Sequence, residues 1–501
     1  MKKISLLLVF CFAFSLIGSA KVIYVQKKVF YPIGIQLDGT SWEKAYKTLQ
    51  VAINNASSGD EIWVAAGIYK PSLSGGGGTG VMPLYSNDCA FVLKPNVKIY
   101  GGFTGNETSL AQRDVYNNTT ILSGFLQEGK ILGSIIIPEI IAHHVVISAG
   151  DVENSVLDGF TIQGGKTASS GSIIVNGQTI DNNRGAGIYL SNSSPTLKNL
   201  KIIHNEAFAY GGGIYALGSN SNITNVLIQN NTAFEGGGIY LVASPNTLTL
   251  TNVEISNNTA TYGGGICNAS CSLTLVNATI AGNDGYYGGG LYNYMGTPAI
   301  RNSIIYGNIG TQNTSGILES DCYYSLVHGV TTTGTNNNIL GSTNPRFVNA
   351  SVHNYRLSTS PILSPCIGSG YNNYNNTYYD LDGNLRIRGF TIDMGAYESG
   401  NGTKSFSGQN ENSLESEVNP EIELNVFPNP VNSNQQINIS LGKYDKPVDV
   451  KVYSLEGKLI HNKTYESGSF GIHVPDLAPG IYMIHLQSQE GERFTKKILV
   501  N

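Results

Sequence analysis

The feature that most constrains the fold is a glycine phrase that returns at an almost fixed interval. It reads "GAGIY" at Gly185, "GGGIY" at Gly211 and Gly236, "GGGIC" at Gly263 and "GGGLY" at Gly288, in steps of 26, 25, 27 and 25 residues. A second phrase keeps pace with it, from "LKNLKIIHN" (197–205) to "IRNSIIYGN" (300–308). It carries two unbroken columns, Asn199, Asn225, Asn252, Asn277 and Asn302, and then Asn205, Asn231, Asn258, Asn283 and Asn308. A period of about 25 residues made of short β-branched pieces, without helical spacing or a fixed leucine scaffold, predicts a solenoid with one coil per repeat.

Within the second phrase Leu200 and Ile202, Val226 and Ile228, and Val253 and Ile255 alternate with polar partners. The preceding Leu197, Ile223, Leu250, Leu275 and Ile300 have the opposite parity. A straight strand cannot turn both sets inward, so the chain must bend at the first asparagine column. Stacked coils place like on like about 4.8 Å apart, and both columns then read as amide ladders that satisfy buried polar groups. Glycine at a corner supplies φ > 0 and close backbone approach. A phosphate loop is disfavoured, because Ile-Tyr in a strand pattern follows rather than a helix with Lys or Ser/Thr. The predicted fold class is all-β, a parallel β-helix.

The ends divide the chain further. Lys2 and Lys3, the apolar run 4–17 and Gly18-Ser19-Ala20 have the layout of a signal peptide over residues 1–20. In the segment 21–59, "DGTSWEKAYKTLQVAINNASSGD" (38–60) predicts a helix that caps the open core. Thr40 and Glu43 form its capping box, Trp42, Ala45, Leu49, Ala52, Ile53 and Ala56 its apolar face, and Ser57-Ser58-Gly59 its stop. Residues 60–399 hold about 12 coils at one strand spacing each, with 380–399 as closing turns. Residues 400–420 read as a linker, and 421–501 as a small β-sandwich with Val450, Val452, Leu459, Ile481 and Met483 in its core.

The net charge of -5 with 13% charged residues argues against a nucleic-acid surface. Beyond the leader stand Cys89, Cys267, Cys271, Cys322 and Cys366, an odd number and no disulfide framework. Cys267 and Cys271 either close a small loop or remain free thiols. The spacing for a zinc site is absent.

The last domain resembles the type A carboxy-terminal sorting domain of the bacterial type IX secretion system, in "FPNP" (427–430), "VKVYSLEGKLI" (450–460), "LAPGIYMIHL" (477–486) and "TKKILVN" (495–501). The resemblance implies export by the general secretion machinery and recognition by the outer-membrane translocon. Removal of the domain then follows, with release of the cargo or its attachment to surface lipopolysaccharide. By position, Pro428, Asn429, Pro430, Gly457, Gly480, Tyr482, Lys496 and Lys497 carry that signal. The body resembles the pectin-lyase-like group of right-handed parallel β-helices, and its repeats look like those of chlamydial polymorphic outer-membrane proteins. Where those have "GGAI" and "FxxN", this chain has "GGGI" and phrases such as "IQNN" without the phenylalanine. That departure weakens a shared adhesin function.

Candidate chemistry is sparse. A lyase of this fold would need acidic residues clustered for Ca²⁺ with a Lys or Arg as base, and a hydrolase two or three facing aspartates. Lys198, Lys201, His204, Glu206, Glu235, Glu254, Asp284 and Arg301 read as solvated face; Lys201 and Glu254 share a column about 10 Å apart. The densest groups are His143, His144, Asp151 and Asp158 upstream and Asp380, Asp382 and Asp393 downstream. "DLDGN" (380–384) stops short of the EF-hand spacing and leaves Ca²⁺ as the one candidate cofactor. Tyrosines carry a binding reading. With Ile214 inward, Tyr189, Tyr215, Tyr240 and Tyr292 face outward in a column interrupted by Cys267, and Tyr210, Tyr262, Tyr286 and Tyr287 lie near the same corner. Such rings suit a sugar chain or a host or matrix protein; the alternative is that tyrosines simply fit a crowded sheet surface. The expectation is adhesion or glycan recognition. The alternatives are a polysaccharide lyase or glycoside hydrolase and a non-catalytic surface rod.

Overall fold

The structure is a computed structural model and describes residues 20–399 apart from 29–33, 76–85, 133–134, 138, 151, 243–246, 312, 331–335 and 388–390. It also describes seven strands, with a few flanking residues, between 425 and 500. The expected leader, apart from Ala20, and the expected linker lie outside the described residues.

Each coil has three faces. In the best-formed one, the strand Ile188–Ser191 makes one face, and a turn leads into Thr196–Ile203, which supplies the other two. Asn199 stands in the middle of that strand with φ +51° and drops out of the pairing with the next coil, while Leu197 pairs with Ile223 and Leu200 with Val226. Asn225, Asn252, Asn277 and Asn302 repeat this with φ between +49° and +57°. The left-handed residue is what lets both parities of apolar side chain enter one core, and asparagine tolerates that conformation best after glycine. The long sheet is ten strands deep along its main path, from Val22–Val25 to Cys322–Tyr323, and every pair on that path is parallel. A second sheet stacks eight, from Phe91–Val92 to Thr314–Ser315. One continuous core runs through the interior from Ile23 to Val327.

The second asparagine column is a true amide ladder. The Nδ2 groups of Asn205, Asn231, Asn258 and Asn283 donate to the Oδ1 of the next member at 2.9–3.0 Å. The same Oδ1 atoms also accept the backbone N–H of the coil before. The other amide hydrogen goes to an isoleucine carbonyl one coil back, as from Asn231 to Ile202 and Asn258 to Ile228. Buried donors and acceptors are thereby paired, which is the condition for polar groups inside a core.

Each glycine of the corner has its own reason. Gly211 has φ +67°, and a Cβ there would stand 2.4 Å from the Ile214 carbonyl. At Gly212 and Gly213 a Cβ would meet the carbonyls of Gly237 and Gly238 in the next coil at 2.5 and 2.6 Å. The first glycine therefore makes the turn and the other two let neighbouring coils approach.

The ends depart from expectation. The helix is shorter, Leu49–Asn55, capped by the Thr48 side chain, and buries Leu49, Gln50, Ala52 and Ile53. Thr40 instead bonds Asp38. The backbone of Tyr46 pairs with Tyr24 and Gln26, and Trp42 packs in an aromatic cluster with Tyr24 and Phe103. Pairing with the first strand outcompetes the capping box. At the other end the described stack stops short of twelve coils, because the described residues of 343–399 form no closing turns. They fold back along the outside of the long sheet as a strap. Tyr371 bonds Asn302, Asn375 bonds Asn277, and Thr377 and Tyr379 bond Asn252, so the strap climbs the first asparagine column backwards. Buried Arg386 fixes it through the carbonyls of Asp393 and Gly395 and an ion pair with Glu398 at 3.4 Å.

The last domain pairs a three-stranded antiparallel sheet (425–427, 437–440, 469–472) with a four-stranded one (459–465, 448–454, 480–488, 493–500). Val450, Val452, Tyr482, Ile484 and Leu486 are in its core. Leu459 is exposed, because the pairing of its edge strand shifts register between Val452 and Tyr453. The side chains of Ile481 and Met483 lie outside those described.

Candidate binding face

The left-handed glycine of each corner places the residue before it and the residue four after it on the same outer side. The first set is Arg184, Tyr210, Glu235, Tyr262 and Tyr287, bridged coil to coil. The second is Tyr189, Tyr215, Tyr240, Cys267 and Tyr292, paired in register. The two columns interlock on a diagonal, the first four members of the first each meeting the second-column residue of the next coil. Arg184 Nη1 donates to the Tyr215 hydroxyl at 2.9 Å, and the Tyr210 and Tyr240 rings lie 4.7 Å apart. Cys267 Sγ donates to Glu235 Oε2 at 3.8 Å, and the Tyr262 and Tyr292 rings lie 5.4 Å apart.

The upstream half of this face is covered. Tyr189 and Tyr215 are only 1% and 2% exposed and form a second apolar cluster with Ala90, Ile147, Ala149, Val175 and Ile180. The cover is an antiparallel hairpin, Ser172–Val175 with Gln178–Asp181. Both rings point out of the helix core, but they pack under this insertion and offer nothing to a ligand. Burial raises the pKa of both phenols. Downstream no such hairpin lies over the face among the described residues. Tyr262 stacks on Tyr287 at 5.1 Å, Tyr286 meets Tyr287 edge-on, and Phe234 meets Tyr262 edge-on. Tyr286 is 59% exposed, Tyr294 56% and Phe234 52%. Phe234 and Tyr294 escape sequence reasoning because they fall outside the two repeated columns.

Between the two columns of this surface stands the acid Glu235, hydrogen-bonded to Cys267. It is half-buried, and desolvation raises its pKa despite the Cys267 hydrogen bond. Desolvation likewise raises the thiol of Cys267 and the phenol of Tyr240, with Glu235 as a further contributor to both.

The remaining candidates separate. His144 is buried and gives Nδ1 to the Gly185 carbonyl at 3.0 Å, whereas His143 faces Asp88. Asp158 pairs with Arg113 at 2.6 Å and accepts from Asn199, and Asp151 lies outside the described residues. Asp380 accepts the backbone N–H groups of Asp382, Asn384 and Glu398, Asp393 those of Gly368 and Ser399, and Asp382 pairs with Arg356. The three aspartates thus serve separate turns and an ion pair. Among the described residues no three acidic, histidine or cysteine side chains converge as a metal site. Cys267 faces Glu235 on the outside while Cys271 lies in the interior core, so no bond joins them, and all five described thiols are free and buried.

Glu254 is not solvated face. It is 3% exposed beneath the strap, accepting from Ser256 Oγ at 2.7 Å and from the Tyr397 hydroxyl. Beside it a cleft of about 510 Å³ is lined by Asn199, Asn225, Lys201, Tyr116, Arg356 and Asp382, among others. Of the sorting residues, Gly480 lies in a described strand, Tyr482 is buried, and Lys496 and Lys497 lie in the final strand. Pro428, Asn429, Pro430 and Gly457 fall outside the described residues.

Residues 140–280 match the family model of the right handed beta helix region, and residues 425–501 that of the secretion system C-terminal sorting domain. No curated protein matches the chain. Among solved structures, pectate lyase Pel9A is similar at 14% identity, with a TM-score of 0.36, over 76% of this chain and 98% of that one. PorZ, an essential bacterial surface component of the type-IX secretion system of Porphyromonas gingivalis, is similar at 15% identity with a TM-score of 0.14. That likeness covers 16% of this chain and 11% of PorZ. The chain joins a parallel β-helix to a type IX sorting domain, a combination that is exported to the bacterial cell surface and processed there.

Proposed function

We propose that the β-helix is a surface recognition module that binds an extended glycan along the glycine corner. The observation that carries this reading is the exposed and half-exposed aromatic run Phe234, Tyr262, Tyr286, Tyr287 and Tyr292, whose members stack, tilt or meet edge-on along the solenoid axis. Ring faces repeated at strand spacing match an extended polymer better than a compact ligand. Exposed apolar patches of this kind mark interaction sites. On this reading the sorting domain engages the outer-membrane translocon, and the β-helix is left at the surface, on lipopolysaccharide or released, as the working part.

The cleft beneath the strap favours a second reading, a polysaccharide lyase or hydrolase of the pectin-lyase-like group. Lys201 and Arg356 stand there with Asp382 and, behind them, Glu254. Arg356 is already committed to Asp382 through two hydrogen bonds, which ranks this reading second.

One experiment separates the two. The mature protein is incubated with acidic and neutral polysaccharides while retention on the polymer and new unsaturated or reducing ends are followed. Retention without cleavage, weakened by Tyr262→Ala with Tyr287→Ala, is the expected result. Cleavage, or the absence of retention on every polymer, overturns it.

A further inference from the structure

Glu235 stands where the two tyrosine columns are broken. Cys267, much smaller than a tyrosine, occupies the second-column position that Glu235 faces, so the carboxylate sits in a notch between the Tyr210–Tyr240 pair and the Tyr262–Tyr292 pair. Among the described residues no Lys, Arg or His pairs with it. A desolvated carboxylate flanked by ring faces, without a cation from its own chain, is an unusual arrangement for a merely structural acid.

The same corner shows how it treats a cation. Two coils upstream the Arg184 guanidinium lies 5.2 Å from the Tyr210 ring centroid and 5.5 Å from that of Tyr215, with the Asp181 carboxylate at 3.4 Å. Rings and one carboxylate together seat a positive group there. Around Glu235 the same elements recur, with Tyr240, Tyr262 and Tyr292 as the rings.

We infer that this notch takes the ammonium group of an amino sugar within an extended polysaccharide. The inference rests on the glycan reading above and adds the chemistry of the sugar. The pyranose face lies on the neighbouring rings while its ammonium meets Glu235. Burial raises the neighbouring thiol of Cys267 and the phenols of Tyr240 and Tyr292 above their ordinary values, so Glu235 is the acid the notch offers to a cation. An ammonium brought beside it favours the ionised form that burial disfavours. An N-acetylated sugar of the same shape brings no charge and leaves that carboxylate unpaired.

The test is calorimetric titration of the mature protein with a glucosamine hexasaccharide and with its fully N-acetylated counterpart. The expected result is a preference of about ten-fold or more for the amine form. Glu235→Gln should abolish that preference while leaving the acetylated form bound as before, and Glu235→Asp should keep part of it. Equal binding of the two forms, or a preference that survives Glu235→Gln, overturns the inference and leaves glycan recognition standing. Failure to bind either form also overturns it, and the polymer panel then decides separately whether the broader reading survives.

Discussion

The Tyr397 hydroxyl donates to Glu254 Oε2 at 2.5 Å, joining residues 143 positions apart and pinning the strap to the seventh strand of the long sheet. The Arg356 guanidinium lies 4.5 Å from the Tyr397 ring centroid, so the phenol is held from both sides. Tyr397→Phe keeps the ring and removes the donor to a buried carboxyl. It should cost about 1–3 kcal/mol, measured by denaturant unfolding, without loss of polymer binding at the glycine corner.

Two buried groups should give opposite pH slopes. Desolvation raises the folded pKa of Glu254 above its ordinary 4.5. Its contribution is complete below that value and is lost as pH rises through the folded pKa, because the native state holds the proton more tightly. Glu254→Gln should remove this decline. Burial lowers His144 from 6.5 to about 4, so its contribution is present above 6.5 and is lost as pH falls toward 4. That displacement corresponds to on the order of 3 kcal/mol. His144→Gln should be less stable at neutral pH yet lack the acid slope, as read from unfolding midpoints between pH 4 and 7.

The two asparagine columns should respond differently to mutation. Asn258→Ala takes the acceptor from one Asn231 amide hydrogen and from the Asn231 backbone N–H, and the side-chain donor from the Ile228 carbonyl, at once. Each buried group left without a partner costs about 1–3 kcal/mol, so unfolding in ordinary buffer is the expected outcome. Asn225→Gly keeps the left-handed backbone and loses only two ladder bonds at 3.2 Å. It should cost about 1 kcal/mol, whereas Asn225→Ala should cost about 1–2 kcal/mol more for a Cβ in that conformation. Thermal denaturation of the three variants tests the order.

Tyrosines of the two interlocking columns should part company. Tyr215→Ala empties a packed site under the hairpin and should cost about 3–5 kcal/mol, with any change in binding following from instability. Tyr287→Ala lies on the uncovered run. It should leave the melting temperature within about 2 °C and weaken polymer retention roughly three- to ten-fold.

Much of this was legible from spacing alone, because a repeating coil writes its cross-section into its period. The bend at Asn199, the inward Leu197 and Leu200 and the corner at Gly211 follow from parity and from residues that accept φ > 0. Local patterns also placed Ile214 inward and Tyr215 outward, since a strand has only two sides.

What the repeat does not encode was decided by segments that pack against it from far along the chain. Tyr215 and Tyr287 both flank a glycine corner, yet one is buried by a hairpin inserted upstream and the other is not. Glu254 looked solvated and became buried because residues 343–399 turned back over the sheet. The capping helix began at Leu49 because strand pairing at Tyr46 claimed the backbone that the Thr40 box would have used. Period and parity determine the coil because those contacts lie about 25 residues apart and recur. Which outer faces stay open depends on contacts made once, over as many as 143 residues, and on tertiary burial that no local pattern records.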